Sequence, residues 1–457
     1  MVAIDRELPG YRVAVRPVSR PLVAASTLFV LLFVVVNLHI LRNLSKLYIA
    51  VPAVLYLLLA AVAVVRGVKV RGSLLFGLAA AFFTYSVLLV PYSLLYATPK
   101  EVGYGAGRLL FALPLVMFSA AFLKKPADLL RIFRIYCVIV ALGAASIMLQ
   151  MVIGPISWFA EPSFRGGLER YASLLGSLTA MGGAGGLALT LVPWARFRRK
   201  SVAFLVAAMI VLGMVASLQK AAVVTLVLWP FAYAFARKVP LRTVVILAMR
   251  VVVVAVLLAV ATYLVLPRYF NVALALLGYR EAAGGVYVGR HTIAEGVVAR
   301  SLEYPMKLYD AYGDAGVVFG VGLKAGSGVF GIQAPMSHNS VADLLFMGGV
   351  IYLLLFLALL VSLLAVAYRA ARGRDPVARG IGQATLCFMV IMLINLPFSS
   401  GRLFQPVSAS IFWCLVGHLS QLRLMRRVPA GAAFDHSRGG SARAGTAESF
   451  RVARGQG

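Results

Sequence analysis

The chain has 457 residues, 61% of them hydrophobic and 13% charged, with a mean hydropathy of +0.92. Soluble domains carry about 45–50% apolar and about 25% charged residues, so this composition excludes a soluble enzyme and an ordinary nucleic-acid-binding module. The 44 Lys and Arg against 15 Asp and Glu give a net charge of +29, but the cations fall in short clusters between long apolar runs, which reads as membrane topology.

A spanning helix needs roughly 20 mostly apolar residues. Runs of this kind lie near 21–41, 48–65, 73–91, 105–123, 132–153, 174–194, 201–217, 221–236, 243–266, 341–367, 380–397 and 405–420. They predict an all-α polytopic membrane protein of about twelve transmembrane helices. The segment 1–20 precedes the first run with Arg6, Arg12, Arg16 and Arg20 and offers no convincing small-residue cleavage site, so that run is expected to be a retained anchor. Alternate connections carry Arg66, Lys69 and Arg71; Lys124, Lys125, Arg131 and Arg134; Arg196, Arg198, Arg199 and Lys200; Arg237, Lys238 and Arg242; and Arg369, Arg372, Arg374 and Arg379. With the two termini these hold 29 of the 44 basic residues. The positive-inside rule then places both termini in the cytoplasm of a bacterial inner membrane. The tail 421–457 is rich in Gly, Ala, Ser and Arg and is expected to be disordered. Cys137, Cys387 and Cys414 all fall inside apolar runs and read as small buried hydrophobes. Gly182, Gly183, Gly185 and Gly186 in the sixth run suit close helix packing.

One connection is long. Residues 267–339, between the ninth and tenth runs, mix aromatics with six basic and five acidic residues. Within Arg290–Glu303, the residues Ile293, Ala294, Val297, Val298 and Leu302 recur at helical spacing. A glycine-rich stretch from Gly313 to Gly331 follows, then Pro335-Met336-Ser337-His338-Asn339-Ser340. The loop reads as a small helical cap over the periplasmic mouth; the alternative is a connector without consequence.

Absent motifs narrow the chemistry. No glycine-rich loop ends in Lys-Ser/Thr, and neither Asp-x-Asp nor His-Glu-x-x-His occurs, so neither ATP hydrolysis nor a metal site is expected and no cofactor is called for. His39, His418 and His436 sit at run ends or in the tail, and His291 lies beside the more interesting Arg290. The remaining inventory is outward-facing cations plus a histidine at the lip of a span, which suits a bound diphosphate with a general base nearby.

His338-Asn339, nine residues, then Gly349-Val350-Ile351-Tyr352 leading into an apolar run resembles a signature of the O-antigen ligase and polymerase superfamily. Arg170-Tyr171-Ala172-Ser173-Leu174, opening a span, resembles that family's second signature, and the stretch from Arg290 to His338 is similar to its large periplasmic loop. The resemblance covers about Leu22 to Leu419. It implies a metal-independent membrane glycosyltransferase that takes its glycan from an undecaprenyl-diphosphate-linked donor and inverts the linkage. His338 and Arg290 are then the expected catalytic residues, with Lys220, Arg170, Arg300 and Asn339 as substrate contacts. The hairpin Ser217-Leu218-Gln219-Lys220 departs from the family, which often has Arg there; lysine keeps the charge and loses the bidentate fork, so Arg165 or Arg402 are alternative holders of the anion. The acceptor is another glycan or lipid A-core, with chain-length or export proteins as further partners and no nucleic acid.

Each of these residues has a plainer role open to it. Asn339 and Ser340 are favoured helix caps, Arg170 suits a membrane-edge anchor, Arg290 and Arg300 suit a solvated helix face, and Lys220 and Arg250 suit snorkelling. A lipid-linked oligosaccharide flippase and an anion transporter are the other classes. The lack of an internal repeat and of ionisable residues at span centres favours the enzyme.

Overall fold

The computed structural model describes residues 20–165, 168–178, 180–240, 308–323, 340–396 and 405–422, with isolated positions between 242 and 306. These residues are mostly helical. In chain order the helices are α1 (Arg20–Asn37), α2 (Ala50–Val65), α3 (Leu74–Ser93), α4 (Pro99–Leu110), α5 (Leu115–Phe122), α6 (Pro126–Ile153), α7 (Ala180–Leu191), α8 (Lys200–Ala216) and α9 (Lys220–Arg237). They continue with α10 (residues 308–319), α11 (Ser340–Ala371), α12 (Pro376–Asn395) and α13 (Pro406–Gln421). Single 3₁₀ turns occupy His39–Asn43, Lys46–Ile49 and Val192–Trp194. An antiparallel hairpin, β1 (Ser163–Arg165) with β2 (Leu168–Arg170), pairs Ser163 with Arg170 and Phe164 with Glu169.

Four of these helices, α3, α6, α11 and α12, are long and apolar enough to cross a membrane, and α1, α2, α7, α8 and α9 are shorter apolar helices. The outer surface agrees with that composition. Leu57 on α2, Val64 at its end, Val152 on α6 and Phe204 on α8 are 71%, 80%, 84% and 77% exposed. In water such a belt would invite aggregation; against lipid it carries no penalty.

Two helices form the centre. Every residue of α7 and every residue of α13 up to Ser420 is buried. α7 packs against α6, α8, α9 and α12, and α13 against α5, α3, α1 and α6. Small residues permit this closeness. A Cβ on Gly185 would lie 2.5 Å from Met214 Cγ on α8 and one on Gly186 2.6 Å from Thr225 Cγ2 on α9, while Gly417 of α13 abuts Ser119 and the Val116 carbonyl of α5. The glycines of the sixth run are thus packing positions, and Cys137, Cys387 and Cys414 are buried free thiols, both as read from the sequence.

The structure departs from the sequence reading at three places. The run 105–123 is two helices, because Pro114 lacks an N–H and its ring opposes the Leu110 carbonyl, ending α4 before α5 starts; α4 begins earlier, under a Thr98–Glu101 capping box. Arg170–Leu174 does not open a helix. Arg170 ends β2, and α7 starts only at Ala180. The helices are accompanied by one β-hairpin that apolar periodicity had no means of revealing. The run 243–266 and the tail beyond Leu422 lie, for the most part, outside the described residues.

Hydrogen bonds sort the chain ends into two faces. At one, Gln421 accepts from the Arg71 amide at 2.7 Å, Lys124 donates to the Lys69 carbonyl at 3.3 Å, and Arg134 donates to the Ala195 and Arg196 carbonyls at 3.2 and 2.6 Å. This basic end gathers the described members of the clustered Lys and Arg residues. The opposite end carries the hairpin, the α8–α9 turn, α10 and the start of α11.

Candidate functional site

At the end away from the basic clusters, the chain leaving β2 is held by a glutamine. Gln150, buried near the end of α6, donates from Nε2 to the Ala172 carbonyl at 2.7 Å and to Ser146 O at 3.0 Å, and its Oε1 accepts from the Ile156 amide at 3.3 Å. Ser146 Oγ accepts from the Leu174 amide at 2.9 Å. These bonds use the polar groups that a helix over 171–178 would need for itself, which is why the segment stays non-helical. Tyr171 donates to Glu169 at 2.5 Å and steadies the end of β2.

Arg170 therefore projects from a fixed strand end, and its Nε donates to the Ser217 carbonyl at 3.2 Å. Ser217 closes α8, donating from its hydroxyl to Met214 O at 2.6 Å; Leu218 turns the chain with φ of 50°, and α9 begins at Lys220 after Gln219. Gln219 donates to Leu178 O at 2.7 Å and lies over Gly182, fastening the turn to the start of α7. Thus Arg170 reaches the turn that leads into α9, whose first residue is Lys220, fifty residues away in sequence. Arg170 is half-buried. A guanidinium beside the N-terminus of α9 makes this end locally positive, since the first amides of a helix carry partial positive charge. One turn along α9, Thr225 Oγ1 accepts from Asn395 Nδ2 at 2.8 Å at the end of α12, and the buried Asn395 Oδ1 has no donor among the described residues.

The second part of this end is built around a break in α11. Gly348 (φ −134°, ψ 16°) and Gly349 (φ 67°, ψ −164°) interrupt the helix eight residues after it begins. The carbonyls freed there find other donors: Phe346 O accepts from the Val321 amide at 2.9 Å, Met347 O from the Gly322 amide at 2.8 Å, and Gly348 O from the Tyr85 hydroxyl at 3.1 Å. On its other side the same strip meets α3. Tyr92 donates to Gly320 O at 3.0 Å, and the Leu323 amide donates at 2.6 Å to Ser93 Oγ, which itself donates to Leu89 O. Glycine is required at the closest approaches: a side chain at Gly349 would strike the Val318 carbonyl, and one at Gly320 or Gly322 would strike α11 or Ser93. Tyr96 meets Tyr312 of α10 edge-on at 5.6 Å, and burial together with this neighbour raises the Tyr312 pKa, so the phenol stays neutral.

The sequence-predicted residues divide accordingly. Arg170 and the start of α9 at Lys220 come together; Arg165 is in β1. His338, Asn339, Arg290, Arg300 and Arg402 lie outside the described residues, as does the amphipathic stretch Arg290–Glu303. Of the loop 267–339, the described portion is mainly 308–323, helical over 308–319 with Gly313 at φ 61°. Sequence reasoning missed Gln150, Gln219, Asn395 and Asp343, the last a buried acid in the first turn of α11, five residues after His338. The available signal was a polar residue inside an apolar run, which is expensive unless it is used. Scanned against known protein families the chain matches no family model, and no curated protein matches it.

Proposed function

We propose that the chain is a bacterial inner-membrane glycosyltransferase of the O-antigen ligase and polymerase type, moving a glycan from an undecaprenyl-diphosphate-linked donor to an acceptor hydroxyl on the periplasmic face. In this reading the chain has twelve spans with both termini cytoplasmic, and the loop 267–339 caps the periplasmic mouth. One observation carries the reading: the Arg170 guanidinium is fixed on the turn that starts α9 at Lys220, at the end opposite the basic clusters. The docking of 308–323 onto α3 and α11 at that same end supports the cap.

The chemistry follows from charge. The acceptor oxygen attacks the anomeric carbon, the bond from that carbon to the diphosphate oxygen breaks, and the polyprenyl diphosphate departs with the electron pair. Arg290, with Arg170, Lys220 and Arg300, stabilises the growing negative charge, and does so far better near a low-dielectric membrane face than in water. His338 takes the acceptor proton; an unperturbed imidazole titrates near about 6.5 and is a base at neutral pH. Attack opposite the leaving group inverts the linkage. The acceptor of choice is a second lipid-linked repeat, making the enzyme a surface-polysaccharide polymerase; lipid A-core would make it a ligase.

The test is transfer in proteoliposomes supplied with a polyprenyl-diphosphate-linked glycan and an acceptor. His338→Ala should abolish product in folded protein, and Arg170→Ala should lower turnover by about 10²-fold, the usual loss for one transition-state donor. Full activity in His338→Ala removes it from the mechanism. Cells lacking the protein should accumulate single lipid-linked repeats; unattached full-length polymer would assign the ligase instead. The break in α11 favours a second reading, a flippase, because interrupted helices are common in transporters. Movement of lipid-linked glycan across vesicles without product would establish it.

A further inference from the structure

The basic end holds a cavity of about 370 Å³ that the proposed transfer does not use. Its wall includes Trp194, Arg196, Arg237, Arg379, Gly380 and Gln383. The three arginines come from separate stretches: just after α7, the last residue of α9, and the first turn of α12. None pairs with a carboxylate among the described residues. Asp375, the nearest acid in sequence, spends its Oδ1 on the Val377 amide at 2.9 Å as the cap of α12.

Two features show that the cavity is built. Arg196 adopts φ of 49°, a costly backbone state for a residue with a Cβ, and it is held there by Arg134, which donates to the Ala195 and Arg196 carbonyls at 3.2 and 2.6 Å. Trp194 is 6% exposed and its indole N–H has no acceptor among the described residues, whereas neighbouring Trp229 donates to Leu189 O at 3.1 Å. The ring's Cδ1 edge packs against the wall, 3.5 Å from where a Gly380 Cβ would stand. Arg237 stacks over the Tyr233 and Trp194 rings with its carbon 5.1 and 5.9 Å from their centroids, which keeps the charge at the rim. Three guanidinium groups without a carboxylate partner among the described residues, together with the Gln383 amide, make a receptor for an oxyanion.

We propose that this cavity binds a phosphate-bearing anion, and that the phosphate is the headgroup of an acidic phospholipid in the leaflet at the basic end. The lipid source follows from the surroundings. Phe204 and Leu205 near the start of α8 and Phe231 and Phe235 near the end of α9 are exposed apolar side chains on the flanking helices, suited to acyl chains rather than to water. Basic recesses between membrane helices hold acidic headgroups by the same physics.

The test uses full-length protein in phosphatidylcholine nanodiscs containing phosphatidylglycerol, with retained lipid read by native mass spectrometry. Phosphatidylglycerol should be retained in preference to phosphatidylcholine. Arg196→Gln, Arg237→Gln and Arg379→Gln should each weaken retention about fivefold. Arg242→Gln, outside the cavity lining, should change nothing. Equal retention of both lipids, or retention unaffected in all three cavity variants, overturns the proposal. Displacement of the lipid by millimolar inorganic phosphate would assign the site to a free anion and overturn the lipid source.

Discussion

Gly349→Ala is the sharpest probe of the break in α11. At φ 67° and ψ −164° the residue sits outside the small left-handed well, in a region open only to glycine. Forcing alanine there costs about 1–3 kcal/mol from the backbone alone. The added methyl also points into the backbone at Val318 and Phe319, neither of which is a flexible side-chain tip that can swing away; overpacking of this kind adds about 1–3 kcal/mol. The total is about 2–6 kcal/mol, much of a typical domain's stability. Gly67→Ala is the control: Gly67 also has positive φ, 53°, but nothing lies within 4 Å of its Cβ position, so it should lose only about 1–2 kcal/mol. Unfolding of both variants in mixed micelles measures the difference, and hydrogen exchange reports where it is felt. In Gly349→Ala the Val321 and Gly322 amides, which bond to Phe346 and Met347, should exchange faster, while in Gly67→Ala they should not. Equal costs for the two variants, or unchanged protection at Val321 and Gly322, would refute the docking of 320–323 against the break.

Three other outcomes are expected. Gln150→Leu strips its hydrogen bonds from Ala172, Ser146 and Ile156 and should lower stability by about 1–3 kcal/mol, read from the unfolding midpoint, with faster exchange at the Ile156 amide. Gly77→Ala, in open space within α3, should stabilise by about 0.5–1 kcal/mol, whereas Gly182→Ala, which would press a methyl to 2.7 Å from the Gln219 side-chain carbon, should destabilise by about 1–3 kcal/mol; the same sign for both would contradict the packing of α7 on the α8–α9 turn. Cys137, Cys387 and Cys414, all fully buried, should resist a maleimide in the folded protein and react in denaturant; rapid labelling of any of them when folded would contradict the core as described.

Helix placement was legible where local pattern and packing agree. The runs 73–91, 201–217, 221–236, 380–397 and 405–420 match α3, α8, α9, α12 and α13 within about four residues, because a continuous apolar stretch has few alternatives to a helix in a membrane. The division of α4 from α5 was missed, because the apolar run 105–123 continues across Pro114 even though the ring ends the helix locally. The segment 171–178 was not legible: its leucines suit a helix, and Gly176 at φ 121° together with Gln150 and Ser146, brought up by α6, withholds it. Likewise the adjacent glycines 348 and 349 permit a break, but a strip from outside the helix must supply the donors that make it stable.

Composition and charge spacing alone established a helical chain of membrane character with clustered cations between its apolar runs, because hydrophobic run length and electrostatic clustering are additive properties of the sequence. Which residues meet was decided by tertiary structure. Arg170 reaches Ser217, and Arg196, Arg237 and Arg379 converge around Trp194, only because α6 to α9 and α12 pack in one arrangement. A hydrogen bond or a shared cavity depends on distances of a few ångströms between residues remote in sequence, and no local pattern encodes those distances.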